Sequence, residues 1–286
     1  MFKSKKNLSD YGEFGLIDLI KKYVTLSPSI IQGIGDDTAV LPLNKSKYLL
    51  FTTDMLIEGV HFTHQCPTSG VGHKALACSI SDIAAMGGIP TSAVISLGVP
   101  KDLSLSYVRQ LYRGVQKIAR PFDVSIVGGD TVKSDKIIIN VALMGEVAKK
   151  DVVYRSGAKV GDHIFVTGPL GRSLITGQHL KFIPRVKESQ FLVKHLKPTS
   201  MIDISDGLVS DLGHILKASD VGAVIDKVSV PRRKKASLQE ALCDGEDFEL
   251  LFTLSSKNSK RCEFYKIGEV VKGKGSNLLS KGYQHF

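Results

Sequence analysis

Five short acidic segments carry most of the chemistry open to this chain. They are Gly35-Asp36-Asp37, Thr52-Thr53-Asp54, Ser81-Asp82, Gly129-Asp130 and Asp203-Ile204-Ser205-Asp206. Most end an apolar run or adjoin glycine, and three include a hydroxyl residue. Carboxylate and hydroxyl oxygens are hard ligands of the kind Mg²⁺ prefers. The whole chain is basic, at +10, so these acids are a local feature rather than a compositional one. Taken singly, an Asp after glycine reads equally well as a turn or a helix cap. Taken together they raise a conflict, because two carboxylates about 5 Å apart repel by roughly 3 kcal/mol at an effective dielectric of about 20. Converging carboxylates need protons or cations, and divalent metals would let the same site hold phosphates.

The bulk composition narrows the alternatives. At 286 residues and 43% hydrophobic content, the chain can bury one large core or two of ordinary size. No apolar run approaches the roughly 20 residues a membrane-spanning helix needs. The first ten residues lack the apolar core of a secretory signal, which points to a cytoplasmic location. Cys66, Cys78, Cys243 and Cys262 are scattered, with no C-x-x-C pair for zinc or redox chemistry. The basic runs Lys3–Lys6, Arg232–Lys235 and Lys257–Arg261 lie far apart with no nucleic-acid-binding motif. They read as solvated surface that also attracts polyanions such as ATP. P-loop, protein-kinase, G-x-S-x-G and H-E-x-x-H signatures are all absent. Phosphate handling, if present, must work through the acids.

Hydropathy patterning supplies the elements that would position them. Tyr48–Phe51 is an apolar run leading into Thr52-Thr53-Asp54. Residues 71–86 read as a helix, with Leu76, Ile80 and Ile83 at helical spacing and Gly87-Gly88 as its stop. Strands are predicted over 91–99, 124–127 and 137–147, with an amphipathic helix between Leu105 and Ile118. A boundary falls near residues 148–160, giving halves 1–148 and 149–286. In the second half, 163–167, 201–204, 222–230, 248–254 and 264–271 read as strands. A helical stretch is predicted after Gly168-Pro169-Leu170-Gly171, and another over 208–218. The mixture predicts an α+β (mixed α/β) architecture in two halves, each a sheet packed with helices.

The order of motifs resembles a known family. The set comprises Gly33-Ile34-Gly35-Asp36-Asp37-Thr38-Ala39-Val40, Thr52-Thr53-Asp54 with His61-Phe62, and Ser81-Asp82-Ile83-Ala84-Ala85-Met86-Gly87. It continues with Gly128-Gly129-Asp130-Thr131, Arg155-Ser156-Gly157-Ala158, Ile202–Leu208 and Gly245-Glu246-Asp247-Phe248-Glu249-Leu250. This set is similar to that of the thiamine-monophosphate kinases, from about Gly12 to the terminal Gly282–Phe286. The wider superfamily includes aminoimidazole ribonucleotide synthetase, selenophosphate synthetase and a hydrogenase-maturation protein.

The resemblance implies a two-domain aminoimidazole ribonucleotide synthetase-like fold. It also implies ATP- and Mg²⁺-dependent phosphorylation of thiamine monophosphate to thiamine diphosphate. The alternatives are an ATP-dependent relative with a different acceptor, or a non-catalytic nucleotide-binding scaffold. By the same resemblance, Asp37, Thr52, Thr53, Asp54, Asp82, Asp130, Asp203 and Asp206 are expected to hold several Mg²⁺ ions. Tyr112, Gly129, Asp130, Arg155 and Ser205 are expected on the nucleotide, and His61, Glu246 and Tyr283 on the acceptor. Asp36 is read as orienting its neighbour. The partners implied are ATP, thiamine monophosphate and a second copy of the chain joined through the N-terminal halves, with no nucleic acid or membrane. Relative to the family, the segments around 171–201 and 228–245 are shortened.

Overall fold

The computed structural model describes residues 7, 8 and 11–278. Helix α1 (Gly12–Lys21) precedes strands β1 (Ala39–Pro42) and β2 (Lys47–Ile57). Helix α2 (Thr68–Ala85), strand β3 (Ile89–Val99), helix α3 (Leu105–Ala119), and strands β4 (Ser125–Lys133) and β5 (Ile138–Ala148) follow. These five strands form one sheet in the order β1-β2-β5-β3-β4, with only β3 and β4 parallel. In β5 the period of two places Ile139, Val141, Leu143 and Val147 on a buried face, alternating with half-buried neighbours. Against that face lies α2. Its partner α3 carries the expected apolar stripe of Leu111, Val115 and Ile118. The two helices touch through glycine. A Cβ on Gly114 would lie 1.8 Å from the Ser69 carbonyl oxygen, and one on Gly72 would lie 2.0 Å from that of Leu111.

The second sheet contains β6 (His163–Val166), β7 (Ser200–Asp203), β8 (Gly222–Ile225), β9 (Leu250–Leu254), β10 (Tyr265–Val271) and β11 (Gly275–Ser276). Its order is β11-β8-β10-β6-β9-β7. Helices α4 (Val186–Phe191), α5 (Leu208–Ser219), α6 (Leu238–Cys243) and α7 (Ser256–Ser259) complete this half. Strand β9 is buried at every residue because apolar clusters cover both faces of the sheet. Leu251 packs with Ile202, Leu212 and Ile267, whereas Phe252 packs with Phe165, Leu192 and Met201. The first sheet differs, since Phe51, Met55 and Val94 on its other face are exposed. The architecture is α+β, as the patterning predicts.

Helix α2 joins the halves. It is buried around most of its circumference and contacts α4 and β7 as well as the first sheet. No helix among the described residues is long and apolar enough to cross a membrane.

Two predicted elements are corrected. The strand expected over 222–230 ends at Ile225, because Asp226 accepts hydrogen bonds from Val228 N and the Ser229 hydroxyl and turns the chain. The helix expected directly after Gly171 is a run of turns. The Arg172 carbonyl accepts from both the amide and the hydroxyl of Thr176, and regular helix begins only at Val186.

Candidate functional site

Four of the five acidic segments meet where α2 passes between the sheets. Asp37, from the loop before β1, Asp82, from the last turn of α2, and Asp203, from the end of β7, bring one carboxylate oxygen each within 4.8 Å of one another. Thr52 and Asp54 reach them from the buried face of β2. The Thr52 hydroxyl donates to Asp82 Oδ2 at 2.5 Å, and Asp54 Oδ2 accepts from the Ser79 hydroxyl at 2.6 Å. Ser81 donates to Asp203 Oδ2 at 2.6 Å. Helix α2 thus supplies one carboxylate and orients two more through serines. A cavity of about 440 Å³ opens beside Asp36, Asp37 and Thr52, with Leu26, Ile30 and Phe51 among its walls.

Burial makes this cluster costly for a bare protein. It pushes Asp82 well above the usual carboxylate range, and the charges of Asp54, Asp203 and Asp37 push it further. Asp203 rises to about 8, first through burial and then through Asp37. Burial also raises Asp54 and, against the pull of Arg155, Asp37. Asp37 Oδ2 is buried without a hydrogen-bond partner. An orphaned carboxylate oxygen beside two more carboxylates is a donor set that a hard divalent cation satisfies, so the residues present fit Mg²⁺.

Arg155 borders the cluster. Its guanidinium donates to Asp37 Oδ1 from Nη2 at 2.6 Å and from Nε at 3.2 Å. Its amide donates to Asp36, whose carboxylate also receives Asp37 N. Burial and the Asp37 charge raise Asp36 to about 7. Asp36 therefore acts on the main chain, consistent with an orienting role.

Two of the three acceptor candidates, His61 and Glu246, lie together beside the first half of α2. The backbone of Glu246 is left-handed, at φ 64°, and its amide donates to the Ser205 carbonyl at 2.7 Å. Its carboxylate pairs with Lys74, and Lys74 Nζ also donates to the His61 carbonyl at 2.9 Å. The His61 ring accepts the Ile57 amide at Nδ1, which puts a proton on Nε2 in the neutral ring. Asp247 and Glu249 are buried behind this loop. They are held by Arg233 and the Gly171 amide, and by Arg185 and the Thr167 hydroxyl.

Thr53 lines the same cavity, but its side chain points to the opposite face of β2 from Thr52 and Asp54, and its hydroxyl donates to the Val141 carbonyl at 3.0 Å. Other expected residues lie further away. Asp130 is exposed on edge strand β4, in a row with Met55, Asn140 and Ser96 across the sheet. Three strand spacings, about 14 Å, separate β4 from β2. Gly129 is needed locally, because a Cβ there would lie 1.8 Å from the Ile95 carbonyl oxygen. Tyr112 is half-buried against the first core on α3. Asp206 belongs to a second group, with Asp211 and His214 of α5, whose ligand atoms lie within 4.8 Å of one another. Tyr283 lies outside the described residues.

Sequence reasoning named Ser81 with Asp82 but missed Lys74 and Ser79. A polar stripe on an otherwise apolar helix, running from Lys74 to Ser81 and Asp82 at helical spacing, is the signal that could have found them.

A five-stranded, mostly antiparallel sheet under two helices, joined to a second sheet at an acidic cluster, defines an AIR synthase-like protein. Residues 35–147 match the family model for AIR synthase related protein, N-terminal domain. The chain is 38% identical to a thiamine-monophosphate kinase of Aquifex aeolicus, over 98% of this chain and 99% of that protein. It is 33% identical to the Escherichia coli K12 thiamine-monophosphate kinase, over 96% and 98% of the two chains. A solved structure described as AaThiL complexed with AMPPCP and TMP superposes with a TM-score of 0.90 at 36% identity, covering 99% of this chain and all of that one. The chain belongs to the thiamine-monophosphate kinase family.

Proposed function

We propose that this protein transfers the γ-phosphoryl group of ATP to the phosphate of thiamine monophosphate, giving thiamine diphosphate and ADP. The observation that carries this reading is the convergence of Asp37, Asp82 and Asp203 beside Arg155 in a chain of this family. An acceptor phosphate oxygen attacks the γ-phosphorus, and the bond from that phosphorus to the β–γ bridging oxygen breaks. The second pKa of a phosphate monoester is near 6, so the acceptor is already an anion at neutral pH. No general base is required, and the chief obstacle is repulsion between two polyphosphate ends.

Asp37, Asp82 and Asp203, with Thr52 and Asp54 beside them, are the residues that would hold Mg²⁺. Bound there, Mg²⁺ would neutralise phosphate charge and hold the reacting oxygens in line. Arg155 presents a planar fork suited to phosphate oxygens. Glu246 and the His61 Nε2 proton face the acceptor, the first matching a thiazolium cation and the second its phosphate. Asp206 is assigned to metal, and Ser205 and Tyr112 to the nucleotide. In the family pattern Tyr283 would stack on the acceptor ring.

We further assign residues 1–148 to an N-terminal metal- and ATP-binding and dimerisation domain, and 149–286 to a C-terminal synthetase-like domain. A homodimer through the uncovered face of the first sheet is supported by exposed Phe51, Met55 and Val94. Asp130 and Gly129 lie in that same sheet, so association there would give them a place in a completed site. Four free thiols suit a reducing cytoplasm. The deciding assay follows thiamine diphosphate formation by the purified chain with ATP, Mg²⁺ and thiamine monophosphate. Folded protein yielding no product above background overturns the proposal.

A further inference from the structure

Lys74 is fully buried in the first half of α2, at 0% exposure. Its ammonium touches two of the three acceptor candidates, pairing with the Glu246 carboxylate and donating to the His61 carbonyl. The Glu246 side chain keeps 19% exposure, so the pair is dry at the lysine end and open at the carboxylate end. Stability does not explain a lysine here. Buried ion pairs are often no better than apolar side chains of the same volume, and Val71, Leu76 and Ile80 of the same helix show what this core accepts.

The backbone of Glu246 gives a second reason. A left-handed conformation is uncommon for a residue with a long side chain, and it persists where the surroundings over-determine it. The main chain is held by the Ser205 carbonyl and the side chain by Lys74. The same helix carries Ser79, Ser81 and Asp82 into the acidic cluster, so one rigid element spaces the acceptor end from the phosphoryl-transfer end.

We infer that Lys74 is a positioning residue for the acceptor. Its ammonium locks the Glu246 carboxylate and the His61 main chain at a fixed distance from the carboxylate cluster. This inference rests on the reading of Glu246 as an acceptor contact. Lys74 makes no hydrogen bond to the acidic cluster and reaches it only through its charge on Asp54, so its loss acts chiefly on the acceptor.

The test is steady-state kinetics with each substrate varied, on K74M, E246Q and K74M/E246Q, with thermal melts of each. K74M is expected to raise KM for thiamine monophosphate about tenfold or more and leave KM for ATP within about twofold. In the double variant the acceptor KM should match that of E246Q alone, because Lys74 acts through Glu246. If K74M does not fold, Lys74→Gln carries the same comparison, since its amide can still donate to the His61 carbonyl and only the part-exposed Glu246 carboxylate loses its cation. An unchanged acceptor KM in K74M, equal rises in both KM values, or additive effects in the double variant overturn the inference. An unchanged acceptor KM in E246Q overturns instead the underlying reading of Glu246, and the Lys74 inference with it.

Discussion

The Arg155 guanidinium gives two hydrogen bonds to one oxygen of Asp37 and leaves the other, Oδ2, buried with no hydrogen-bond partner. This division sets the orientation of the carboxylate. One oxygen is tied back, and the other is presented beside Asp82 and Asp203. The adjacent acid is used differently, since Asp36 holds the Arg155 amide. Two neighbouring aspartates thus fix both ends of one arginine.

Arg155→Lys should lower kcat/KM roughly 10- to 100-fold, because a point charge cannot replace a planar fork at a bidentate contact. The melting temperature should change little, as one cation still faces Asp37. Kinetics alongside thermal melts check both halves. A variant with wild-type kcat/KM would remove Arg155 from the phosphoryl-transfer machinery.

Asp82→Asn separates function from stability. Burial and three neighbouring carboxylates oppose ionisation of Asp82, so the neutral amide relieves a conflict in the metal-free protein. The metal-free melting temperature should rise by about 2–6 °C. Activity should fall at least about 100-fold with the loss of a charged ligand. A variant less stable than wild type in EDTA would contradict the account of the cluster as a strained one.

Much of this was legible in the chain. The strand that carries Thr52-Thr53-Asp54, the helix stopped by Gly87-Gly88 and the acidic residues themselves follow from local patterning. What local patterning could not supply is strand order. Asp130 lies within β4 as Asp54 lies within β2, yet β5 and β3 stand between them because the sheet is not wound in sequence order. Lys74 was invisible for a related reason, since its carboxylate partner lies 172 residues away. The strand after Gly222 looked longer than it is, because the side chain of Asp226 outbids the β-propensity of the residues beyond it.

The pH dependence of the metal-free protein has a definite sign above pH 6.5. Asp36, at about 7, and Asp203, at about 8, are raised by burial, so the fold favours their protonated forms. Their contribution to stability is full below the ordinary carboxylate range and is lost as pH rises through 7 to 8. Buried His73 and His179 and half-buried His214 are lowered by desolvation and act oppositely, but their gain is complete once pH passes 6.5. Melting temperature in EDTA should therefore fall between pH 6.5 and 8.5. Excess Mg²⁺ should flatten that fall, because it binds the ionised carboxylates of the folded state. A flat or rising EDTA profile across this window would contradict the assigned shifts.

Thr52 and Thr53 offer the sharpest test of the site geometry, because they are chemically identical neighbours on opposite faces of β2. Thr52 is buried and donates to Asp82, a hydrogen bond worth about 0.5–1.5 kcal/mol. Thr52→Ala should lower kcat by about tenfold or more and make activity more dependent on Mg²⁺ concentration. The Thr53 hydroxyl is spent on the Val141 carbonyl, away from the cluster, so Thr53→Ala should stay within about twofold of wild type. Mg²⁺ titrations of the two variants read the difference directly. Equal losses would mean that β2 meets the metal through its backbone or through a partner subunit, and that the side-chain alternation of this strand does not decide which threonine serves the site.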